Sequence, residues 1–316
     1  MEQQSQNIGY SHIQTSEHML VNDTLVKVLG KLIGWEFHEV DMGGYGKITG
    51  LSHKGVFVSV PHLSHCAMQC PASEKAEAYT WLINNWFPAH SIHSWEIRDT
   101  VAYAPYATAS KVISYLQLHD GEKEILQALP SGIRHKISKA QRNGFEIRTG
   151  KEELAVDFYK IYAQSMHRLG SPAMPQQFFA GLAKEYPQSV IIIAWRDKQP
   201  AGAAFMLWND DFAEVCWLAT NPEYNRLYLS YLLYWESMRI AMQKNCTLFS
   251  FGRSSIGSGV HTYKKRWGTA ELNLYWNASA RSTSLLRRLP WLTFIWKKLP
   301  FVVVNFIGPK IAKWLY

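Results

Sequence analysis

Apolar positions in the second half of the chain recur with two distinct periods. Over 151–169, Leu154, Phe158, Ile161, Tyr162 and Leu169 fall at helical spacing, and Gly170 with Pro172 closes the segment. Runs at 189–195, 201–208 and 212–219 are rich in β-branched and aromatic residues and are broken by polar turns at 196–199 and 209–211. That pattern predicts a three-stranded antiparallel meander. A long helix over 227–243, a strand over 247–251, a glycine-rich loop to Gly259, a short basic segment and a strand over 271–276 follow. Just upstream of these elements, 132–143 reads as a helix with Ile133, Ile137 and Ala140 as its apolar stripe, Ser131 as its cap and Gly144 as its stop.

The first 130 residues are less regular. Residues 1–72 read as short strands and turns, with 57–60 the clearest strand before Pro61. A helix from a Ser73 cap to Trp86 comes next, then strands over 95–98 and 111–118. Asp120 is placed to cap a further helix that Pro130 ends.

Composition narrows the class. A chain of 316 residues with 47% hydrophobic and only 18% charged residues has enough apolar surface for a sizeable core, which excludes disorder as its main state. The net charge of +8 is uneven: residues 281–316 hold Arg281, Arg287, Arg288, Lys297, Lys298, Lys310 and Lys313 and no acid. The nearly neutral body argues against a general nucleic-acid coat, and the tail is expected to meet an anionic surface. Four cysteines are too few for a disulfide scaffold, and the first residues show no secretory pattern. A cytoplasmic location, peripheral on the inner face of the membrane through the tail, is the expectation. The tail's apolar stretches, 289–296 and 299–309, are too short to span a bilayer.

Helix, helix, three antiparallel strands, helix, strand, helix, strand is the order of a GNAT-type acyltransferase, a fold-level analogy. Four segments sharpen it: 134–144 (RHKISKAQRNG), 162–178 (YAQSMHRLGSPAMPQQF), 249–254 (FSFGRS) and 263–268 (YKKRWG). They resemble the FemAB-related proteins associated with bacterial exosortase/PEP-CTERM exopolysaccharide systems, with weaker echoes at 58–61, 96–98 and in the tail. The resemblance implies an α+β fold of tandem GNAT-like (FemAB-type) domains, with mixed, mostly antiparallel sheets flanked by helices. It divides the chain into a degenerate N-terminal half (1–130), a catalytic half (131–280) and a basic aromatic tail (281–316). The implied activity moves an aminoacyl or other acyl group onto an amine of a cell-envelope or exopolysaccharide precursor. Aminoacyl-tRNA rather than acyl-CoA is the implied donor, with no tightly bound cofactor.

Two departures bear on that chemistry. The acid of the relatives' FDFGRS-like stretch is Ser250 here, so no carboxylate at that position serves as base. A CoA-dependent enzyme cradles pyrophosphate in a glycine loop opening the long helix, whereas 225–231 contains no glycine.

Acyl transfer to an amine needs a base and a fixed positive group where the oxyanion or leaving oxygen develops. By spacing alone, 264–266 reads as a solvated charge run; the resemblance reverses this, because Lys264 matches the lysine of the relatives' (F/Y)Kxx(F/W)G motif and takes the second role. Glu214 is the candidate base, or the partner of a nearby arginine. Arg253, after Gly252 at a strand end, suits a phosphate or carboxylate. Arg168 and Ser171, at the end of the amphipathic helix, resemble a substrate-side turn, although an arginine there also suits the helix dipole. Ser254, Tyr263 and His62 complete the substrate-side candidates. Arg134, Lys136, Lys139 and Arg142, with Lys265 and Arg266, are the cations expected to follow a tRNA backbone.

The cluster His62, His65, Cys66 and Cys70 invites a metal, but zinc sites draw on two separated ligand pairs and no second pair answers this one, so none is expected. A second class of function stays open: a catalytically silent GNAT-fold protein that binds a lipid-linked saccharide.

Overall fold

The computed structural model describes residues 22–64, 66–118, 121–280 and 290–312. Asn22 opens the first helix, α1 (Asp23–Ile33), by accepting from Leu25 N, and Gly34 ends it in the left-handed conformation at φ 74°. This helix corrects the reading of 1–72 as strands and turns. Its buried Leu25, Val26, Leu29 and Ile33 are helically spaced, but eleven residues are too short a window to stand out. Strands β1 (Glu36–Asp41), β2 (Lys47–His53) and β3 (Val56–Val58) follow.

Ser73 caps nothing. It lies in a 3₁₀ turn (Ala72–Glu74) leading into α2 (Lys75–Trp81), which continues through a π-turn (Leu82–Trp86) into α3 (Phe87–Ala89). Strands β4 (Ser94–Asp99) and β5 (Thr108–Gln117) come next, then helices α4 (Glu122–Ala128) and α5 (Ser131–Gln141). Ser131 is the first helical residue of α5; Pro130 occupies the cap position, and its lack of an N–H loses nothing there. Asp120 lies outside the described residues. The short β6 (Glu146–Gly150), absent from the sequence reading, precedes α6 (Ala155–Leu169) and α7 (Gln176–Glu185).

The expected meander forms as β7 (Ser189–Arg196), β8 (Gln199–Asn209) and β9 (Phe212–Thr220). After α8 (Leu229–Gln243) come β10 (Leu248–Ser255), α9 (Gly259–Lys265) and β11 (Ala270–Ala278). Two further helices, Pro290–Lys298 and Phe301–Ala312, close the described chain. No helix among the described residues is long and apolar enough to cross a membrane.

Among the described residues, eleven strands join one sheet in the order β1-β2-β3-β4-β11-β5-β10-β9-β8-β7-β6. Only β3/β4 and β9/β10 are parallel; every other neighbouring pair is antiparallel. The fold is the expected α+β class: a large, mostly antiparallel sheet flanked by helices. The two parallel pairs reveal a repeat. In each half an antiparallel set ends in a strand, a helix crosses over, and the chain returns parallel to that strand, through α2 between β3 and β4 and through α8 between β9 and β10. Strand β11 lies between β4 and β5, so the C-terminal strand is built into the N-terminal part of the sheet.

The central strands are buried on both faces. Ile191, Ile193, Phe205 and Leu207 pack under α1, α6 and α7, while Ile192, Ala194, Ala204 and Met206 pack under α5 and α8. A third core holds the N-terminal half together around Phe57, Leu82 and Phe87.

Candidate functional site

The parallel pairing of β9 with β10 stops three residues in. Leu248 faces Phe212, Phe249 faces Ala213 and Ser250 faces Glu214; beyond that the strands part. Gly252 helps to make the parting. Its φ of 74° bends β10 at an irregularity in its pairing with β5, and a Cβ there would stand 2.7 Å from Val215 O. The gap opens into a cavity of about 480 Å³. Its walls are Val215–Leu218 of β9, Phe251–Arg253 of β10, Lys264 of α9, the 62–64 loop, and the end of α6 with its following turn.

Glu214 is buried at the point of the split. Its Oε1 accepts from Ser64 Oγ at 2.5 Å and its Oε2 from Ser250 Oγ at 2.8 Å; Ser250 Oγ accepts in turn from Gly252 N at 3.0 Å. The residue whose acid is missing from the sequence motif therefore holds a carboxylate supplied by the neighbouring strand.

Lys264 is also buried. Its Nζ donates to Gly252 O at 2.7 Å and to Arg253 O at 3.1 Å. Desolvation lowers its pKa to about 7, the Arg253 charge pushes in the same direction, and Glu214 opposes both. Lys264 is thereby taken out of the solvated charge run, whereas Lys265 and Arg266 remain exposed. Helix α9 is pinned where this requires: Ser258 Oγ accepts from His261 N, Gly257 N donates to His261 Nδ1 at 3.0 Å, and His261 Nε2 meets Glu271 Oε1 at 2.6 Å.

Two guanidinium groups clamp the 60–64 loop. Arg98, fully buried and paired with Glu96, donates from Nη1 to Val60 O and Leu63 O, each at 2.9 Å. Arg253 donates from its own Nη1 to Leu63 O. Desolvation first, and the Arg98 charge second, lower the Arg253 pKa to about 10. The loop carries His62 at φ 68°, its ring set edge-on to Phe178 and its buried Nε2 without a hydrogen-bond partner among the described residues. Burial, then Arg98 and Arg253, hold its pKa near 3, so it is a neutral imidazole.

Of the residues singled out by sequence, Glu214, Lys264, Arg253, His62 and Ser171 line the one cavity. Arg168 does not. It is exposed and donates from Nη2 to Thr220 O, tying the end of α6 to the end of β9. Ser254 is buried in the β10/β5 pairing opposite Val112, and Tyr263 turns to α8, where its hydroxyl meets Ser230 Oγ. Neither lines the cavity.

Arg134, Lys139, Arg142, Lys265 and Arg266 are exposed, while Lys136 is half-buried with its Nζ 4.9 Å over the Tyr231 ring. Tyr231, on α8, also contacts Tyr263 of α9, so α8 touches both basic segments. Burial removes Lys264 from this basic surface. In the His/Cys cluster, Cys66 is buried against Thr49, and His65 lies outside the described residues.

Sequence reasoning gave no part in the site to Ser64, Arg98, Tyr162 and Cys216. The first, second and third stand in or beside segments already marked by the resemblance. Cys216 shows no local signal: it is the extra residue where the β8/β9 register shifts.

Residues 131–265 match the family of acetyltransferase (GNAT) domains. No curated protein matches the chain in sequence. Among solved structures the chain is similar to FemX, with a TM-score of 0.61 at 13% identity over 90% of this chain and 99% of that one. It is also similar to the C-terminal domain of a putative lysylphosphatidylglycerol synthetase from Agrobacterium fabrum, with a TM-score of 0.55 at 8% identity over 87% and 92% of the two chains. L-PGS from Bacillus licheniformis gives 0.55 at 10% identity over 89% and 94%. At these identities the likeness is one of fold.

Proposed function

We propose that the chain is an acyltransferase that moves an aminoacyl group onto an amine of a cell-envelope or exopolysaccharide precursor. The observation that carries this reading is the parting of β9 from β10 at the Glu214–Ser250 contact, with Lys264 and Arg253 in the same cavity. A donor carbonyl seated between the parted strands meets a carboxylate, a lysine and a guanidinium together. Glu214, oriented by two hydroxyls, takes the proton from the attacking amine. Lys264, with a pKa near 7, is protonated often enough to give its proton to the leaving oxygen and is readily reprotonated. Arg253 fixes the donor's polar end.

The aminoacyl choice is supported by the structural likeness to FemX and to lysylphosphatidylglycerol synthetases, and by the resemblance to FemAB-related proteins. Resemblance to the exosortase/PEP-CTERM-associated branch supports the envelope acceptor. The exposed cations of α5 and α9 suit the backbone of an aminoacyl-tRNA, whose binding must then weaken steeply with salt.

Acyl-CoA as donor is a second reading, favoured by one feature: Tyr228, at the start of α8, keeps the left-handed φ of 58° that a phosphate-cradling glycine would adopt. Transfer from charged tRNA and from acyl-CoA, measured side by side at low salt, separates the two. Mass spectrometry of envelope polysaccharide from cells with and without the gene identifies the acceptor; identical spectra would overturn the acyltransferase reading.

A further inference from the structure

The last described helix is apolar on both sides. Phe301–Ala312 turns Val304, Gly308 and Ala312, one helical turn apart, toward the body of the protein. Tyr159 of α6 donates its hydroxyl to Asn305 Oδ1 at 2.8 Å, and a Cβ on Gly308 would reach 3.3 Å from Ala173 N. This inner stripe completes the core, as apolar tails commonly do. The outer stripe has no such explanation. Val302 is 79% exposed and Phe306 68%, with Ile307 and Ile311 beside them, and the preceding helix adds Trp291 and Phe294. A helix that faces water carries polar residues there, and apolar patches of this kind mark a contact surface.

Charge selects the partner. Residues 281–316 hold seven basic residues and no acid. Lys298 lies 5.5 Å over the Phe294 ring and Lys310 3.9 Å over that of Phe306, so the cationic heads sit beside the exposed rings. A second copy of this chain would press one basic stripe against another. An anionic bilayer instead offers hydrocarbon to the aromatic rings and phosphate to the lysines.

We infer that these two helices seat the protein on an anionic lipid bilayer with the cavity mouth at the headgroup layer. Ala312 itself lines the cavity, as do Leu169, which is 62% exposed, and Ser171. The Pro290–Lys298 helix rests on the same turn, where Thr293 fills the space beside Gly170. On the acyl-transfer reading, which this inference extends, an acceptor anchored in the bilayer reaches Lys264 and Glu214 without leaving it.

Flotation with vesicles tests the docking. The full chain should float with phosphatidylglycerol–phosphatidylcholine vesicles at low salt, and several-fold less with phosphatidylcholine alone or at high salt. Val302→Asp/Phe306→Asp should abolish flotation and keep the melting temperature, since both side chains face solvent. Lys298→Glu/Lys310→Glu should remove the preference for anionic vesicles. Failure of the wild-type chain to float, or equal flotation of the aspartate variant, would overturn the inference. So would self-association of the wild-type chain, without flotation, that the aspartate variant abolishes. Flotation uses neither donor nor acceptor. A chain that floats but transfers nothing therefore counts only against the transferase reading, and one that transfers to a soluble amine but never floats counts only against docking.

Discussion

Ser250 on β10 and Glu214 on β9 stand opposite each other in the last register of a parallel strand pair, and the serine hydroxyl donates to Glu214 Oε2 at 2.8 Å. They lie 36 positions apart in sequence. The contact brings a carboxylate from the neighbouring strand against Ser250 at the point where the two strands diverge.

Exchanging these two residues is therefore informative. Glu214→Gln should lower kcat by roughly 10²–10⁴, the usual contribution of a positioned base, with little change in melting temperature. Ser250→Asp alone sets a second carboxylate against Glu214, and the two like charges, buried together, should cost the folded chain stability at neutral pH. The double exchange Glu214→Ser/Ser250→Asp should relieve that loss and recover part of kcat, as chemical denaturation and initial rates would show.

Lys264 makes a prediction about pH with two readouts. Its pKa in the folded chain is about 7, below the 10.5 of an ordinary lysine. Between those values the unfolded state binds more protons, so this group makes the protein more stable as the pH rises from 7 to 10.5. As proton donor to the leaving oxygen it should make kcat fall as the pH rises through 7. Lys264→Met should lose most of kcat and also flatten the alkaline stability slope, measured by urea denaturation across that range.

His62 acts in the acid range. With a folded pKa near 3 against an ordinary 6.5, its contribution is complete above pH 6.5 and is lost as the pH falls toward 3. The amount is on the order of 3–5 kcal/mol. His62→Asn suits the left-handed backbone and removes the titrating group, so the variant's stability should decline less than that of the wild-type chain between pH 6.5 and 3. Equal acid sensitivity of the two chains would show that His62 is protonated freely in the folded state.

Gly252→Ala tests the strand parting. The left-handed φ costs a side chain about 1–2 kcal/mol, and the new Cβ would stand 2.7 Å from Val215 O, so β9 or β10 must shift. A loss of at least about 2 kcal/mol in denaturant unfolding is expected, together with reduced transfer, because the shift moves Lys264's carbonyl partners.

Elements whose signal is local were legible in the amino-acid order alone. The helical spacing from Leu154 to Leu169, the β-branched runs of the meander and the left-handed stop at Gly170 each rest on neighbours a few residues apart, and each formed as expected. The segments around Arg253 and Lys264 were visible for the same reason: a short motif holds its residue types together. The site was decided elsewhere. That Glu214 faces Ser250 depends on the register of a parallel pair joined through α8. That Arg168 ties down β9 instead of entering the cavity depends on where Thr220 ends its strand. The lowered pKa of Lys264 requires walls from both strands, the 62–64 loop and the end of α6, which close around it only in the folded chain. Desolvation is a property of all the surrounding atoms, and no local stretch of sequence contains it.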